Sequence, residues 1–195
     1  MRIEPMTKLA LDTETNGFTA TVEHDLHGAD ESPREWAMES VFFGFHRSFA
    51  SPDPAPDSDP ETARDMANAN GNICLPVWLY AHGGTCYRAA EQNPFHCPWD
   101  SGLFGFIYIT RDNARKIYGI KRITEKQRLR LLADLAAQVE AYSRWANGET
   151  YCWVIEDADG DVIESCRGYY SEVDAESDAL AELASLIKPE SALAV

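Results

Sequence analysis

One stretch near the middle of the chain, His96 to Thr110, restricts the fold more than any other. It reads HCPWDSGLFGFIYIT and joins a proline-containing turn to an apolar run. Because Pro98 lacks a backbone N–H and fixes φ, the first half does not fit a helix interior. The second half, rich in aromatic and β-branched residues, is typical of a strand. We therefore predict a turn leading into a central strand, with Trp99 in the core and Asp100 accepting hydrogen bonds from backbone N–H groups of the turn.

Alternation of apolar and polar residues predicts two β-hairpins elsewhere in the chain. The first pairs residues 8–12 with 18–24 around Asn16-Gly17, a dipeptide that accepts the positive φ angles of a tight turn. The second pairs residues 150–156 with 161–169 around the sequence DADGD. Further strands are predicted over residues 40–50 and 73–81.

Four helices are predicted from capping residues and apolar spacing, over residues 60–68, 111–118, 125–147 and 174–187. One face of the third carries the apolar residues Leu131, Leu132, Leu135, Val139, Tyr142 and Trp145. Because strands and helices do not alternate singly, we predict an α+β fold. It would be a single domain over residues 1–195, with a mainly antiparallel β-sheet and two hairpins packed against two or three helices. We also expect a flexible Pro/Asp-rich loop at 51–60 and an accessory C-terminal helix at 174–187.

The chain is strongly acidic, with 32 acidic and 17 basic residues and a formal net charge of −15. One basic block, residues 111–144, lies between acidic flanks. This charge disfavours direct binding to nucleic acid, but it suits a protein that meets the basic surface of a nucleic-acid-handling partner. Solubility is the alternative explanation. The candidate binding residues are Glu156, Asp157, Asp159, Asp161, Glu164, Glu172 and Asp174.

Hydropathy and cysteine content indicate the compartment. No apolar run approaches the roughly 20 residues that cross a bilayer, and the first residues lack the apolar core of a secretory signal. The five cysteines suggest no paired disulfide framework. We expect a cytoplasmic protein with reduced thiols and no membrane partner.

The sequence LALDTETNG resembles the first motif of DEDD-type exonucleases. That resemblance implies a site in which Asp12 and Glu14 hold two magnesium ions. The late helical motif of such a site is missing, because His96 and Asp100 are spaced H-x3-D and Pro98 lies between them. A hairpin turn explains the same residues without a metal. We keep the metal nuclease only as an alternative.

Two other fragments resemble metal sites incompletely. DADGD echoes a calcium loop, but Gly160 precedes Asp161 and the flanks are strands, so a tight Asp-Gly turn is the better interpretation. A zinc site would use His82, Cys86, His96 and Cys97, although adjacent residues rarely bind one ion together. We expect neither a metal nor any other cofactor.

Several segments occur in a characteristic order: SPREW, FFGFHRSF, LPVWLYAHGG, CPWDSGLFGFIYIT and ESCRGYY. This order resembles a family of uncharacterised bacteriophage and mobile-element proteins with a CPWDSG-x2-GFIY motif, and it covers residues 32–170. His82-Gly83-Gly84 departs from the DHSG-like residues of the family, and Arg167 replaces an aromatic. The resemblance implies a phage or plasmid product in a bacterial cytoplasm, and it implies no mechanism.

Two hypotheses follow. The first is a binder without catalysis that inhibits a host defence or nucleic-acid-handling complex through acidic surfaces, in the manner of an anti-CRISPR or anti-restriction protein. The second is a small enzyme with a pocket at the CPWDSG turn, where Asp100 acts as acid or base with Tyr80, His82 or His96 nearby.

Overall fold

The computed structural model describes residues 12–26, 31–35 and 38–187. Its strands are β1 (Asp12–Thr15), β2 (Phe18–His24), β3 (Ser40–Gly44), β4 (Ile73–Ala81), β5 (Thr85–Ala89), β6 (Ser101–Ile109), β7 (Tyr151–Glu156) and β8 (Val162–Tyr169). Its helices are α1 (Pro60–Asn68), α2 (Arg111–Tyr118), α3 (Glu125–Ala146) and α4 (Glu172–Leu186), with a 3-10 turn at Ala69–Gly71. None of the helices in these ranges has the length and hydropathy needed to span a membrane.

The chain divides into two compact units, each with its own four-stranded sheet. Unit 1 consists of residues 1–31 and 148–195, and its sheet has the strand order β1-β2-β7-β8. Unit 2 consists of residues 32–147, and its strand order is β3-β6-β4-β5. Every strand pair among the described residues is antiparallel. The predicted α+β class with mainly antiparallel strands is confirmed, and the strands form two sheets.

Both predicted hairpins lie in unit 1, where β2 pairs with β7 and joins them into one sheet. The first strand covers Asp12–Thr15, and residues 8–11 of the predicted strand lie outside the described residues. Helix α4, predicted as accessory, supplies the apolar side chains that cover Val22 and Ile155. Ser171 caps this helix, which therefore starts two residues before the predicted bound.

In unit 2 the apolar run of the opening motif forms β6, which lies between β3 and β4. The predicted apolar face of α3 is confirmed, because Leu131, Leu135 and Val139 are buried against this sheet. Helix α1 supplies Ala63 and Ala67 to a separate cluster with aromatic residues of β3 and β6.

Two glycines explain how closely β3 and β6 approach. Gly44 of β3 lies directly opposite Gly105 of β6 in the strand register. A Cβ atom on Gly105 would lie 1.9 Å from the carbonyl oxygen of Phe43, and one on Gly44 would lie 2.3 Å from the ring of Phe104. The glycine of the GFIY motif is therefore required by backbone proximity rather than by turn geometry.

The strand predictions for unit 2 were incomplete. Strand β5 lies in a segment for which no strand was predicted, and β3 ends at Gly44 although a strand was predicted through residue 50. Strand β6 starts at Ser101, five residues before Phe106, the first residue of the apolar strand predicted from the sequence FIYI. Pro76 predicts an edge strand or a bulge; β4 is an interior strand, and a bulge follows Pro76 between Val77 and Trp78.

The start of the Pro/Asp-rich segment is anchored by a polar cluster. Asp53 accepts hydrogen bonds from the backbone N–H of Phe42 (2.7 Å) and from the Arg34 guanidinium (2.6 and 3.3 Å). Arg34, whose side chain is 4% exposed, also donates to Ser40 and Gln138. The segment is therefore tied to β3 and α3 at this point, while its predicted flexibility stays a prediction.

Candidate functional site

The CPWDSG turn, residues 97–102, is held by its own polar groups and by β4. The Ser101 hydroxyl donates to the carbonyl oxygen of Cys97 (2.5 Å), and Asn93 donates to the Ser101 hydroxyl (3.0 Å). The N–H of Ala81 donates to the carbonyl oxygen of Asp100 (2.9 Å). These bonds fix the turn at the start of β6, as the sequence predicts.

The Asp100 carboxylate has two side-chain partners. One of its oxygens lies 3.3 Å from the Cys97 sulfur and 3.3 Å from Nδ1 of His82. The sequence predicted instead that Asp100 accepts from backbone N–H groups; the bonds that the structure gives this carboxylate go to side chains. Contacts with these side chains are possible because His82 follows β4 and Asp100 precedes β6, and β4 and β6 are neighbouring strands.

The other residues of the proposed pocket are less closely associated. Tyr80 stacks on Phe95 with ring centroids 5.5 Å apart, and its ring centroid is 6.4 Å from that of His82. His96 is exposed, and within the described part of the chain no hydrogen bond or ion pair joins it to Asp100. The structure therefore brings together Asp100, His82 and Tyr80 and leaves His96 apart.

Trp99 is 92% exposed, so the prediction that it fills the core is wrong. Trp99 lies in the turn, two residues before the first residue of β6, and its indole is directed to solvent. Trp99, Asp100 and His46 line an open cavity of about 280 Å³. An exposed tryptophan beside a cavity is typical of binding surfaces.

The chemistry available at this turn follows from the two contacts of the Asp100 carboxylate. It lies 3.3 Å from Nδ1 of the exposed His82 imidazole, a placement similar to that of the orienting carboxylate beside the base of a catalytic triad. The Cys97 thiol donates to the carboxylate rather than to the imidazole. Cys97 therefore lacks the contact with a base that would activate it as a nucleophile.

The metal interpretations gain no geometric support. Among the described residues, no group of three or more His, Cys, Asp or Glu side chains could hold a metal ion, and this includes His82, Cys86, His96 and Cys97. Asp12 and Glu14 lie on β1, but their side chains are outside the described part, so the nuclease alternative stays a prediction.

The second candidate region is the acidic surface of unit 1. Its hairpin turn is organised by Asp157, whose carboxylate accepts from the N–H groups of Asp159 (2.9 Å) and Asp161 (3.0 Å). Gly160 takes a φ of +83°, so a tight Asp-Gly turn forms here, as predicted. Asp157 is therefore explained by turn structure alone.

The remaining candidate binding residues differ in whether their carboxylates have a structural role. Glu172 and Asp174 lie in the first turn of α4, where carboxylates are stabilised by the helix dipole. Asp159, Asp161 and Glu164 are exposed and form no ion pair within the described residues. Glu156 is half-buried at the end of β7. The three exposed carboxylates have no structural role in the described part.

Strand β8 adds an accessible backbone edge to this surface. In the described part it pairs with β7 alone, and residues 162–168 are all exposed. Val162 is 59% and Ile163 43% exposed, so two apolar side chains lie among the acids. An unpaired, exposed edge is a template on which another chain can add a strand.

The two units differ sharply in charge. Unit 1 carries 19 acidic and 4 basic residues, whereas unit 2 carries 13 of each. The whole net charge of −15 therefore belongs to unit 1. The acidic flanks are visible in the linear sequence, whereas the grouping of residues 1–31 and 148–195 into one compact unit is seen only in the structure.

Comparison of the chain with protein-family models, curated proteins and solved structures finds no match. The resemblance to phage and mobile-element proteins therefore stays a prediction.

Proposed function

We propose that this chain is a phage or mobile-element protein that binds a host defence or nucleic-acid-handling complex in the bacterial cytoplasm and inhibits it without catalysis. The observation that carries the proposal is the concentration of the entire net charge on unit 1. A basic channel built for phosphates attracts a compact body of charge −15 and gives it orientation. No direct contact with nucleic acid is needed.

The exposed carboxylates support this function. Asp159, Asp161 and Glu164 are not neutralised by any ion pair among the described residues. Unpaired charges on an otherwise soluble surface remain available to arginines and lysines of a partner. The exposed Val162 and Ile163 would supply apolar contact area between them.

The decisive experiment measures affinity for purified restriction and CRISPR effector complexes over a range of salt concentrations. The triple variant Asp159→Asn, Asp161→Asn, Glu164→Gln removes three negative charges from the proposed surface. The matched control Asp57→Asn, Glu61→Gln, Asp65→Asn removes three exposed negative charges from unit 2. We expect at least a tenfold loss of affinity for the first variant and less than threefold for the control.

Two outcomes would contradict the proposal. If both triple variants weaken binding equally, only the overall charge matters and unit 1 has no particular role. If the wild-type protein binds no such complex even at low salt, the acidic surface serves solubility. Displacement of DNA from the bound complex would separate inhibition at the nucleic-acid site from binding elsewhere.

The CPWDSG turn supports a second candidate, a small enzyme. The specific observation is that Asp100, which lines a cavity, lies 3.3 Å from Nδ1 of His82. In this case His82 acts as general base and Asp100 positions it. A screen of model esters, amides and phosphoesters should show turnover that His82→Gln and Asp100→Asn reduce and His96→Gln leaves unchanged. Absence of turnover above that of Asp100→Asn would eliminate this candidate.

A further inference from the structure

Unit 2 contains a region with the opposite charge. Two adjacent cavities share Asn72 and Arg111; their volumes are about 310 and 670 Å³. Arg122 and Arg128 line the first, and Arg115 lines the second. Pockets for small ligands occupy roughly 300–1,000 Å³, so the space is sufficient for one. We call this pair the arginine cavity.

The positive charge of the arginine cavity is only partly compensated. Arg115 lies 3.5 Å from Asp112, and Arg128 lies 3.6 Å from Glu125. Exposed ion pairs of this length within one helix contribute little. Arg111 and Arg122 have no acidic partner in the described part of the chain. The cavity therefore presents four guanidinium groups against two carboxylates.

The backbone reinforces this charge. Thr110 caps α2 and Thr124 caps α3, and both capping residues line the arginine cavity. The first turns of two helices therefore lie beside it, with their partial positive charge. Asn72 accepts a hydrogen bond from the N–H of Arg111 (3.3 Å), which fixes the loop before β4 to the start of α2.

We propose that the arginine cavity binds a small ligand with two or three adjacent phosphate groups, such as a nucleoside triphosphate. Guanidinium groups bind phosphate oxygens in a bidentate manner, and four of them exceed what a single phosphate needs. A small ligand is favoured over a nucleic acid because the net charge of −15 repels a long polyanion. A short anion in the cavity lies within about 8 Å, one Debye length, of the arginines.

The test is isothermal titration calorimetry of the full chain with inorganic tripolyphosphate, a nucleoside triphosphate and a single-stranded 12-mer, in near-physiological salt. The double variant Arg111→Gln, Arg122→Gln removes the two unpaired guanidinium groups. The control Lys121→Gln, Lys126→Gln removes two exposed cations that do not line the cavity. We expect the arginine variant to weaken tripolyphosphate binding at least tenfold and the lysine variant less than threefold.

Each arm has a defined meaning. A nucleoside triphosphate that binds more tightly than tripolyphosphate would show that the cavity also recognises the nucleoside. Tighter binding of the 12-mer than of either small anion would overturn the proposal in favour of a nucleic-acid surface. Equal losses in the two double variants, or no binding of tripolyphosphate at millimolar concentration, would overturn it altogether. Circular dichroism of both variants checks that they are folded.

Discussion

Substitution of Gly105 by alanine is the sharpest test of how unit 2 is built. The added Cβ would lie 1.9 Å from the carbonyl oxygen of Phe43 and 2.6 Å from the Cα of Gly44. Both obstacles are backbone atoms, so no rotamer change relieves the overlap. The strands β3 and β6 would have to separate by more than 1 Å to reach a normal contact.

The cost follows from that separation. A backbone hydrogen bond of about 2.9 Å stretched by 1 Å is no longer a hydrogen bond. Loss of two such bonds, at about 0.5–1.5 kcal/mol each, adds to the usual strain of about 1–3 kcal/mol for overpacking. Together these two terms predict that Gly105→Ala lowers the free energy of unfolding of unit 2 by about 2–6 kcal/mol.

The measurement is urea-induced unfolding, with hydrogen-exchange mass spectrometry of peptides from β3 and β6 to locate the loss. Gly102→Ala is the matched control on the same strand, because a Cβ there meets nothing within 4 Å. The control should leave stability unchanged or raise it by less than about 1 kcal/mol. If the two variants unfold at the same urea concentration, the close approach of β3 and β6 is not what requires a glycine.

Three further predictions concern buried groups. Arg34→Ala should cost about 3–5 kcal/mol in a urea titration, because Asp53 keeps a half-buried charge without its cation, and Arg34→Lys should cost less. Burial raises the pKa of Tyr87 to about 12, so the unfolded state loses the phenol proton at lower pH than the folded state does. The free energy of unfolding should therefore fall by about 1.4 kcal/mol per pH unit between pH 10 and 12. Urea titrations of Tyr87→Phe should lack this pH-dependent loss. Burial raises the pKa of Cys74 to about 12, so iodoacetamide at pH 8 should alkylate the exposed Cys166 and spare Cys74, and equal labelling of both in mass spectra would contradict this.

Helices and hairpins with capping residues or turn dipeptides at their ends could be predicted from the sequence. Thr110 and Thr124 cap their helices as their sequences indicate, and Gly119 ends α2 with a φ of +61°. The Asn16-Gly17 and DADGD turns likewise close the hairpins around which they were predicted. In each case a capping side chain or a glycine with positive φ acts on backbone groups no more than four residues away, and such local interactions can be predicted from the sequence.

Pairings between distant segments were not predictable in this way. Strand β5 (TCYRA) has only weak alternation of apolar and polar residues. It forms because it pairs with the edge of β4 and because the Ser143 hydroxyl of α3 accepts a hydrogen bond from the N–H of Tyr87. The apolar character of Trp99 favours a place in the core. Its exposure depends on how the turn is placed between β4 and β6, which the sequence does not reveal. The arginine cavity needs Asn72 beside Arg111, a contact between segments 39 residues apart.

The division of unit 1 into two chain segments has a consequence for its synthesis. The hydroxyl of Thr150 bonds to the carbonyl oxygen of Asp25, a residue 125 positions earlier. At translation rates of about 5–20 residues per second, β2 waits roughly 6–25 s for β7 to be made. During that time an isolated hairpin is marginally stable at best, whereas unit 2 is continuous and already has all its strands. The acidic surface of unit 1 is therefore completed only after unit 2 has been synthesised, when β7 pairs with β2 and β8 pairs with β7.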